Sequence, residues 1–339
     1  MFTVIYSLFT AMHFPVTNST LSKKHLAAYL MEHYSLGTAA MCSIIKCGIN
    51  DTYLVSSSEG KFIFRVYSLN WRTPGEIMQE IKLINHLAEK GLSVSYPIGD
   101  SDGKYIQELH APEGLRYGVM FSYAAGEKLH NYSAEQHYHA GVVMANLHKA
   151  TENFYLERTN YTLRNLLVEP LEAMKTFLPE ETEEFGYMKA LQSYLLNELQ
   201  NVDEDDLRKG AIHMDIWFDN MNISDDGKIS LFDFDFCGNG WLCIDIAYYI
   251  LQLNYVERDE KVCAEKVSSF LQGYESITNI TAEEKRILPI LGLCSYFFYL
   301  GIQVKRFDNW SNVFLSETYL RRYVTHIVRR YAELNGIRP

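Results

Sequence analysis

Four side chains in the middle of this 339-residue chain have the types and spacing to do chemistry together: His213, Asp215, Asn220 and Asp233. They stand in AIHMDIWFDN and, thirteen residues after Asn220, in LFDFD. A carboxylate in a loop can take a proton from a hydroxyl. An amide oxygen and a second carboxylate are hard donors that suit magnesium, which keeps several waters and completes its shell from phosphate oxygens. That set is what phosphoryl transfer asks of a protein: it must hold the donor, its metal and the accepting hydroxyl in place, and it supplies little covalent help. Other readings start from the same residues. His213, Asp215, Asp233 and Asp235 are also a donor set for the metal of a hydrolase, and Asp233 alone is an ordinary turn residue after a strand.

The elements around these residues follow from apolar periodicity. Leu21 to Tyr34 and Glu76 to Gly91 place apolar residues at helical spacing, the second with Ile77, Ile81, Ile84 and Leu87 in one stripe and a glycine at its end. Residues 43–67 alternate about Ser-Ser-Ser-Glu-Gly and predict a hairpin. Val94 to Tyr123 predicts short strands broken by turns at Asp102-Gly103 and Pro112-Glu113-Gly114. After Gly126 the pattern becomes helical, over 133–150 and Glu183 to Gln200. Two short strands are then expected within 211–236, about a turn at Asp225-Asp226-Gly227, and helices rich in Tyr and Phe from Ile244 onward. The expectation is an α+β chain with a sheet-and-helix part at 1–123 and a mostly helical part at 124–339.

Composition narrows the partners. A formal net charge of -11 lacks the basic face of a nucleic-acid binder. Six cysteines without a CxxC pair disfavour a zinc ribbon and suit free thiols in a reducing cytoplasm. The apolar opening MFTVIYSLFTAMHF lacks the early Lys or Arg of a secretory signal and is shorter than the roughly 20 residues of a membrane span, so a packed or frayed segment is expected there. Ile290 to Leu300 is expected to be a buried helix, and no membrane partner is expected.

The segment 211–247, AIHMDIWFDNMNISDDGKISLFDFDFCGNGWLCIDIA, resembles the signature of the aminoglycoside phosphotransferase and choline kinase superfamily. DFDFCGNGW followed by IDIA is most similar to its homoserine-kinase-like and stress-response-kinase-like branches. The resemblance implies a bilobal protein-kinase-like fold, with a small N-terminal antiparallel sheet and helix and a larger helical C-terminal lobe. It implies transfer of the γ-phosphoryl group of ATP or GTP to a hydroxyl of a small molecule such as an amino alcohol, a sugar or an aminoglycoside. Asp215 would be the base, Asn220 and Asp233 the Mg2+ ligands, and Asp245 a structural anchor. Asp235 ranks second as a ligand, and His213 would brace the loop backbone.

The same resemblance extends, less sharply, to the N-terminal half. Arg65, in FIFRVY, stands where kinases carry the strand lysine that touches the α and β phosphates, with Glu80 of the next helix as its ion-pair partner. Met120 to Tyr123 would form the hinge that meets the nucleotide base, Phe121 and Tyr123 among it. Three departures stand out. Cys47-Gly48-Ile49-Asn50 replaces a GxGxxG, Met214 stands where the family usually has Gly, and Asp235 takes the third place of an Asp-Phe-Gly with no Ala-Pro-Glu following it. The missing activation segment counts against a kinase of proteins. A kinase-fold protein that binds nucleotide and acts on or scaffolds proteins is the alternative.

Overall fold

A computed structural model describes residues 14–129, 131–307 and 314–339. The N-terminal expectation for residues 1–13 lies outside them. The chain enters through helix α1 (Lys23–His33) and then forms strands β1 (Ala40–Cys47), β2 (Asn50–Ser57) and β3 (Gly60–Tyr67). The hairpin expected over 43–67 is therefore a three-stranded meander. Its first strand is an edge whose half-buried Ala40, Cys42 and Ile44 alternate with exposed Met41, Ser43 and Ile45, until the pairing slips between Ile44 and Lys46.

Helix α2 (Pro74–Glu89) follows, opened by a Thr73–Glu76 capping box with Pro at its first position. Strands β4 (Pro97–Ile98), β5 (Ile106–Ala111) and β6 (Gly114–Ser122) complete an antiparallel sheet in the order β1-β2-β3-β6-β4, with β5 on the far part of β6. Alternation along β3 sends Phe64 and Val66 into a core shared with Leu26 and Leu30 of α1. Ile63, Arg65 and Tyr67 thereby face the other way, toward α2 and the rest of the chain.

Past β6 the chain crosses into a helical body through Tyr123 to Gly126. Gly126 has φ +101°, and a Cβ there would run into the Ile223 carbonyl, so only glycine fits this crossing. Helix α3 (Ala134–Thr151) is capped by Ser133 and Gln136. A wide helical turn at Arg164–Val168 leads into α4 (Glu169–Met174), which the sequence reading missed because Pro170 interrupts so short an element.

Then come α5 (Glu183–Gln200), β7 (Lys209–Ile212), β8 (Met221–Ile223), β9 (Ile229–Leu231), β10 (Gly238–Trp241), α6 (Cys243–Val256), α7 (Glu260–Glu275), α8 (Ala282–Lys305), α9 (Glu317–Tyr323) and α10 (Arg329–Leu334). β8 pairs with β9, and β7 pairs with β10. The glycines of GNGW hide β10 from any propensity argument. Among the described residues α8 alone has the length and hydropathy of a membrane span. Because 78% of its apolar window is buried within the protein, it is a core helix, as expected for Ile290 to Leu300.

Candidate active site

The loop between β7 and β8 carries the first three residues, and one buried carboxylate shapes it. Asp245, in the first turn of α6 and fully buried, accepts the backbone N–H groups of His213 (2.8 Å) and Met214 (2.7 Å). Met214 sits at φ +67°, the left-handed region that explains why a glycine suits this position. Its side chain is nonetheless fully buried. His213 is braced on both ring nitrogens: Nδ1 accepts the Asp215 N–H at 3.2 Å, so Nε2 carries the proton toward the Phe232 carbonyl, also at 3.2 Å. Burial holds its pKa below the ordinary histidine value, partly offset by Asp245 and Asp233. It is a neutral strut in the loop.

Asp215 is thereby presented with its carboxylate held from two sides. Tyr248 Oη donates to Oδ1 at 2.6 Å and Asn220 Nδ2 donates to Oδ2 at 2.9 Å, while Tyr299, whose O–H goes to the Met214 carbonyl at 2.7 Å, lies 3.3 Å from Oδ1. Burial pushes the Asp215 pKa up to about 7; the Tyr248 and Asn220 hydrogen bonds pull against this, and Asp233 adds to it. Asn220 Nδ2 also donates to the Asp215 carbonyl at 2.9 Å, which leaves Asn220 Oδ1 without a hydrogen-bond partner among the described residues.

Asp233 follows β9 at φ +65°, and 37% of its side chain is exposed. Its Oδ1 meets Arg65 Nη2 at 3.0 Å, while Oδ2 has no partner among the described residues. Two oxygen donors, Asn220 Oδ1 and Asp233 Oδ2, are thus open, and both residues line one cleft. They fit a hard divalent cation.

That cleft has a volume of about 480 Å³ and lies between the sheet and the helical body. Ile45, Ile63, Phe121 and Phe232 contribute apolar wall, with Tyr123 and Gly126 at the crossing, and Arg65 and Asp233 stand at one end. Arg65 bridges the two parts: its Nη1 reaches Glu80 Oε1 at 2.7 Å, opposite the bond to Asp233. Burial would lower the Arg65 pKa, but Asp233 and Glu80 outweigh it and raise it, so the guanidinium keeps its charge. Glu80, fully buried in α2, also accepts Tyr67 Oη at 2.9 Å and faces Arg158 at 3.7 Å.

Of the residues singled out from the sequence, Arg65, Phe121, Tyr123, Asn220 and Asp233 line this cleft, while Glu80 and Asp215 stand behind it, bonded to Arg65 and Asn220; one role needs correction. Asp235, ranked second as a metal ligand, is closed off. Its oxygens accept Asn50 Nδ2 (3.0 Å), Trp71 Nε1 (2.6 Å) and Arg72 Nε (3.0 Å), with Arg158 at 3.6 Å. Burial alone would raise its pKa, but Arg72 and Arg158 pull it down to about 2. The hydrolase reading fails with it, since His213 has no free nitrogen and Asp235 no free oxygen; among the described residues no three of His, Cys, Asp and Glu gather as a metal site.

Sequence reasoning also missed Tyr248 and Tyr299. Tyr248 had a signal, three residues after Asp245 and so on the same helix face. Tyr299 lies 84 residues from Asp215 and had none.

An Arg–Glu pair on strand and helix, an apolar-walled cleft and two open oxygen donors in it, one of them on an amide bonded to a loop carboxylate, suit a phosphotransferase of kinase fold. The model of the phosphotransferase enzyme family, APH, matches residues 48–279, well over half of the chain, and the chain belongs to that family. A homoserine kinase of Rhizobium meliloti is 29% identical over 262 residues, covering 76% of this chain and 77% of its own. Among solved structures, a microcompartment-associated aminopropanol kinase superposes with a TM-score of 0.76 at 20% identity, covering 93% of this chain and 99% of its own. An amicoumacin kinase in complex with AMP-PNP and Ca2+ gives 0.72 at 18%, covering 91% and 95%. These two likenesses establish the protein-kinase-like fold.

Proposed function

We propose that this chain is a cytoplasmic Mg2+-dependent kinase that transfers the γ-phosphoryl group of ATP or GTP to a hydroxyl of a small metabolite or antibiotic, an amino alcohol, sugar or aminoglycoside. The observation that carries the reading is the pairing of Asp215 with Asn220. One amide nitrogen holds both the carbonyl and the carboxylate of Asp215, and the amide oxygen is left open in the same cleft that Asp233 lines with an open oxygen. Bound Mg2+ would supply charge neutralisation on the phosphates. Asn220 and Asp233 would hold it. Arg65 would take phosphate oxygens in place of the usual lysine, as a planar fork fixed by Glu80.

Phe121 and Tyr123 line the part of the cleft where the nucleotide base would lie. Asp215 takes the proton of the acceptor hydroxyl. Tyr248, Tyr299 and Asn220 fix the direction of its lone pairs, and a pKa near 7 lets it hold that proton during transfer. The sheet part with α2, residues 1–123, would serve the nucleotide, and 124–339 the acceptor.

The test is a thermal-shift screen of amino alcohols, sugars and aminoglycosides with magnesium nucleotide, followed by turnover with each binder. Asp215→Asn should then lose about a hundredfold or more in kcat with little change in nucleotide affinity. Full activity in that variant would remove Asp215 from the role. Nucleotide binding with no turnover across the panel would favour a scaffold.

A further inference from the structure

Asp235 lies two residues beyond Asp233, in the segment that would hold the metal, yet its carboxylate is spent elsewhere. A carboxylate offers about four lone-pair positions. Three direct donors and a nearby guanidinium surround this one, and only 4% of the side chain is exposed. Its backbone carbonyl accepts two more guanidinium N–H groups, from Arg72 Nη2 at 2.7 Å and from Arg158. A cation would have to displace these donors and approach two fixed positive charges.

The origin of the donors decides what the group does instead. Asn50 is the first residue of β2, directly after the turn Cys47 to Ile49, and β1 and β2 supply Ile45, Lys46 and Thr52 to the cleft. Trp71 and Arg72 belong to the connection from β3 to α2. All three come from the sheet side, whereas Asp235 belongs to the helical side. Asn50 is itself fixed: its Oδ1 accepts the Ser68 N–H at 3.3 Å, and Ser68 Oγ donates to the Ile49 carbonyl. On the other side Arg158 reaches both the Asp235 carbonyl and Glu80.

We propose that Asp235 is a positioning residue, an interlobe clasp that pins the β1–β2 turn and the β3–α2 connection onto the segment carrying Asp233, and that it takes no part in the metal's coordination. The clasp sets the height of the turn over the cleft, and with it the fit of a nucleotide's phosphates. This inference rests on the nucleotide-site reading of the cleft only for its effect on affinity; the mechanical link does not depend on it.

Two measurements on the full chain test it. In hydrogen exchange of the protein without ligand, Asn50→Ala should speed exchange of the amides of residues 47–53 while α3 and α6 keep their protection, and Trp71→Phe should do so to a smaller degree. In titrations with ATP, Asn50→Ala should weaken binding by about tenfold, the loss of one hydrogen bond to a charged group. The Mg2+ concentration giving half-maximal binding should not move. Asp235→Ala, which also releases Trp71 and Arg72, should weaken binding at least as much, and adding Asn50→Ala to it should cost less than Asn50→Ala does alone, because the Asn50–Asp235 bond is already gone.

A metal-ligand role gives the opposite pattern, a raised Mg2+ requirement in Asp235→Ala alone and additive effects in the double variant, and would overturn the proposal. Should Asp235→Ala not fold, Asn50→Ala and Trp71→Phe decide it, since unchanged exchange at 47–53 in both refutes the clasp. Failure of the native protein to bind ATP would refute the cleft reading and leave the exchange experiment to judge the clasp.

Discussion

Replacing Tyr248 by Phe removes a single hydroxyl, and the structure says what that hydroxyl does to the pH dependence of the reaction. Its O–H donates to Asp215 Oδ1 at 2.6 Å. A hydrogen bond to the ionised form favours ionisation and lowers the pKa, so its removal raises the pKa. Bonds to charged groups contribute about 1.5–3 kcal/mol, and a pKa unit corresponds to about 1.36 kcal/mol, which gives an upward shift of about one to two units. Tyr299 donates to the Met214 carbonyl at 2.7 Å and lies 3.3 Å from Oδ1; turning its O–H onto the carboxylate offsets part of the loss at the expense of the carbonyl bond, so the lower figure applies. The acid limb of kcat/KM, expected near the Asp215 pKa of about 7, should therefore move to about 8. Activity at high pH should be nearly unchanged, because the base is ionised there in both proteins. The assay is phosphoryl transfer to a confirmed acceptor over about pH 5 to 10, with Tyr299→Phe expected to shift the limb less. A limb that stays in place or moves to lower pH would refute the argument that Tyr248 tunes the base.

Further outcomes follow from the same geometry. Asp215 has a raised pKa in the folded state, so its contribution to stability is present at acid pH and is lost as pH rises through about 7; Asp215→Asn should raise the urea midpoint of the ligand-free protein at pH 8, by an amount that shrinks toward pH 5. Met214→Gly relieves about 1–2 kcal/mol of left-handed strain but empties a fully buried site, which costs about 2–5 kcal/mol, so it should be destabilising in urea denaturation despite the favourable φ. Arg65→Met should destabilise the protein, by less than the ~3–5 kcal/mol of a wholly unpaired buried charge because Arg158 stays 3.7 Å from Glu80, and should weaken nucleotide binding in the same preparation, measured by calorimetry. Asp245→Ala strands two buried backbone N–H groups at about 1–3 kcal/mol each, and kcat should fall along with the denaturation midpoint.

Much of this site was readable in one dimension because its key contacts repeat short spacings. Asp215 and Asn220 lie on one loop and meet through a bond that spans five residues. Arg65 and Glu80 face one another because strand alternation and one helical stripe leave them on the same side of β3. Met214 marked itself by standing where a glycine belongs, and its positive φ is the reason. Where the reading fell short, the missing term was a partner far along the chain. Asp235 has the right type and the right neighbours for a metal ligand. Only the arrival of Asn50, Trp71, Arg72 and Arg158, between 77 and 185 residues away, consumes its oxygens. β10 shows the same limit, since GNGW becomes a strand because β7 offers it a ladder and not because its residues favour one.

The sequence alone determined the main helices, the change from sheet to helix after Gly126, the loop that bears Asp215 and the short list of oxygen donors, because each is encoded in side-chain type and local periodicity. Tertiary structure decided which carboxylates remain open. Ionisable groups at similar positions along the chain, Asp233 and Asp235, received opposite fates from the charges folded against them: one keeps an oxygen facing the cleft, and the other is sealed between the two halves of the molecule.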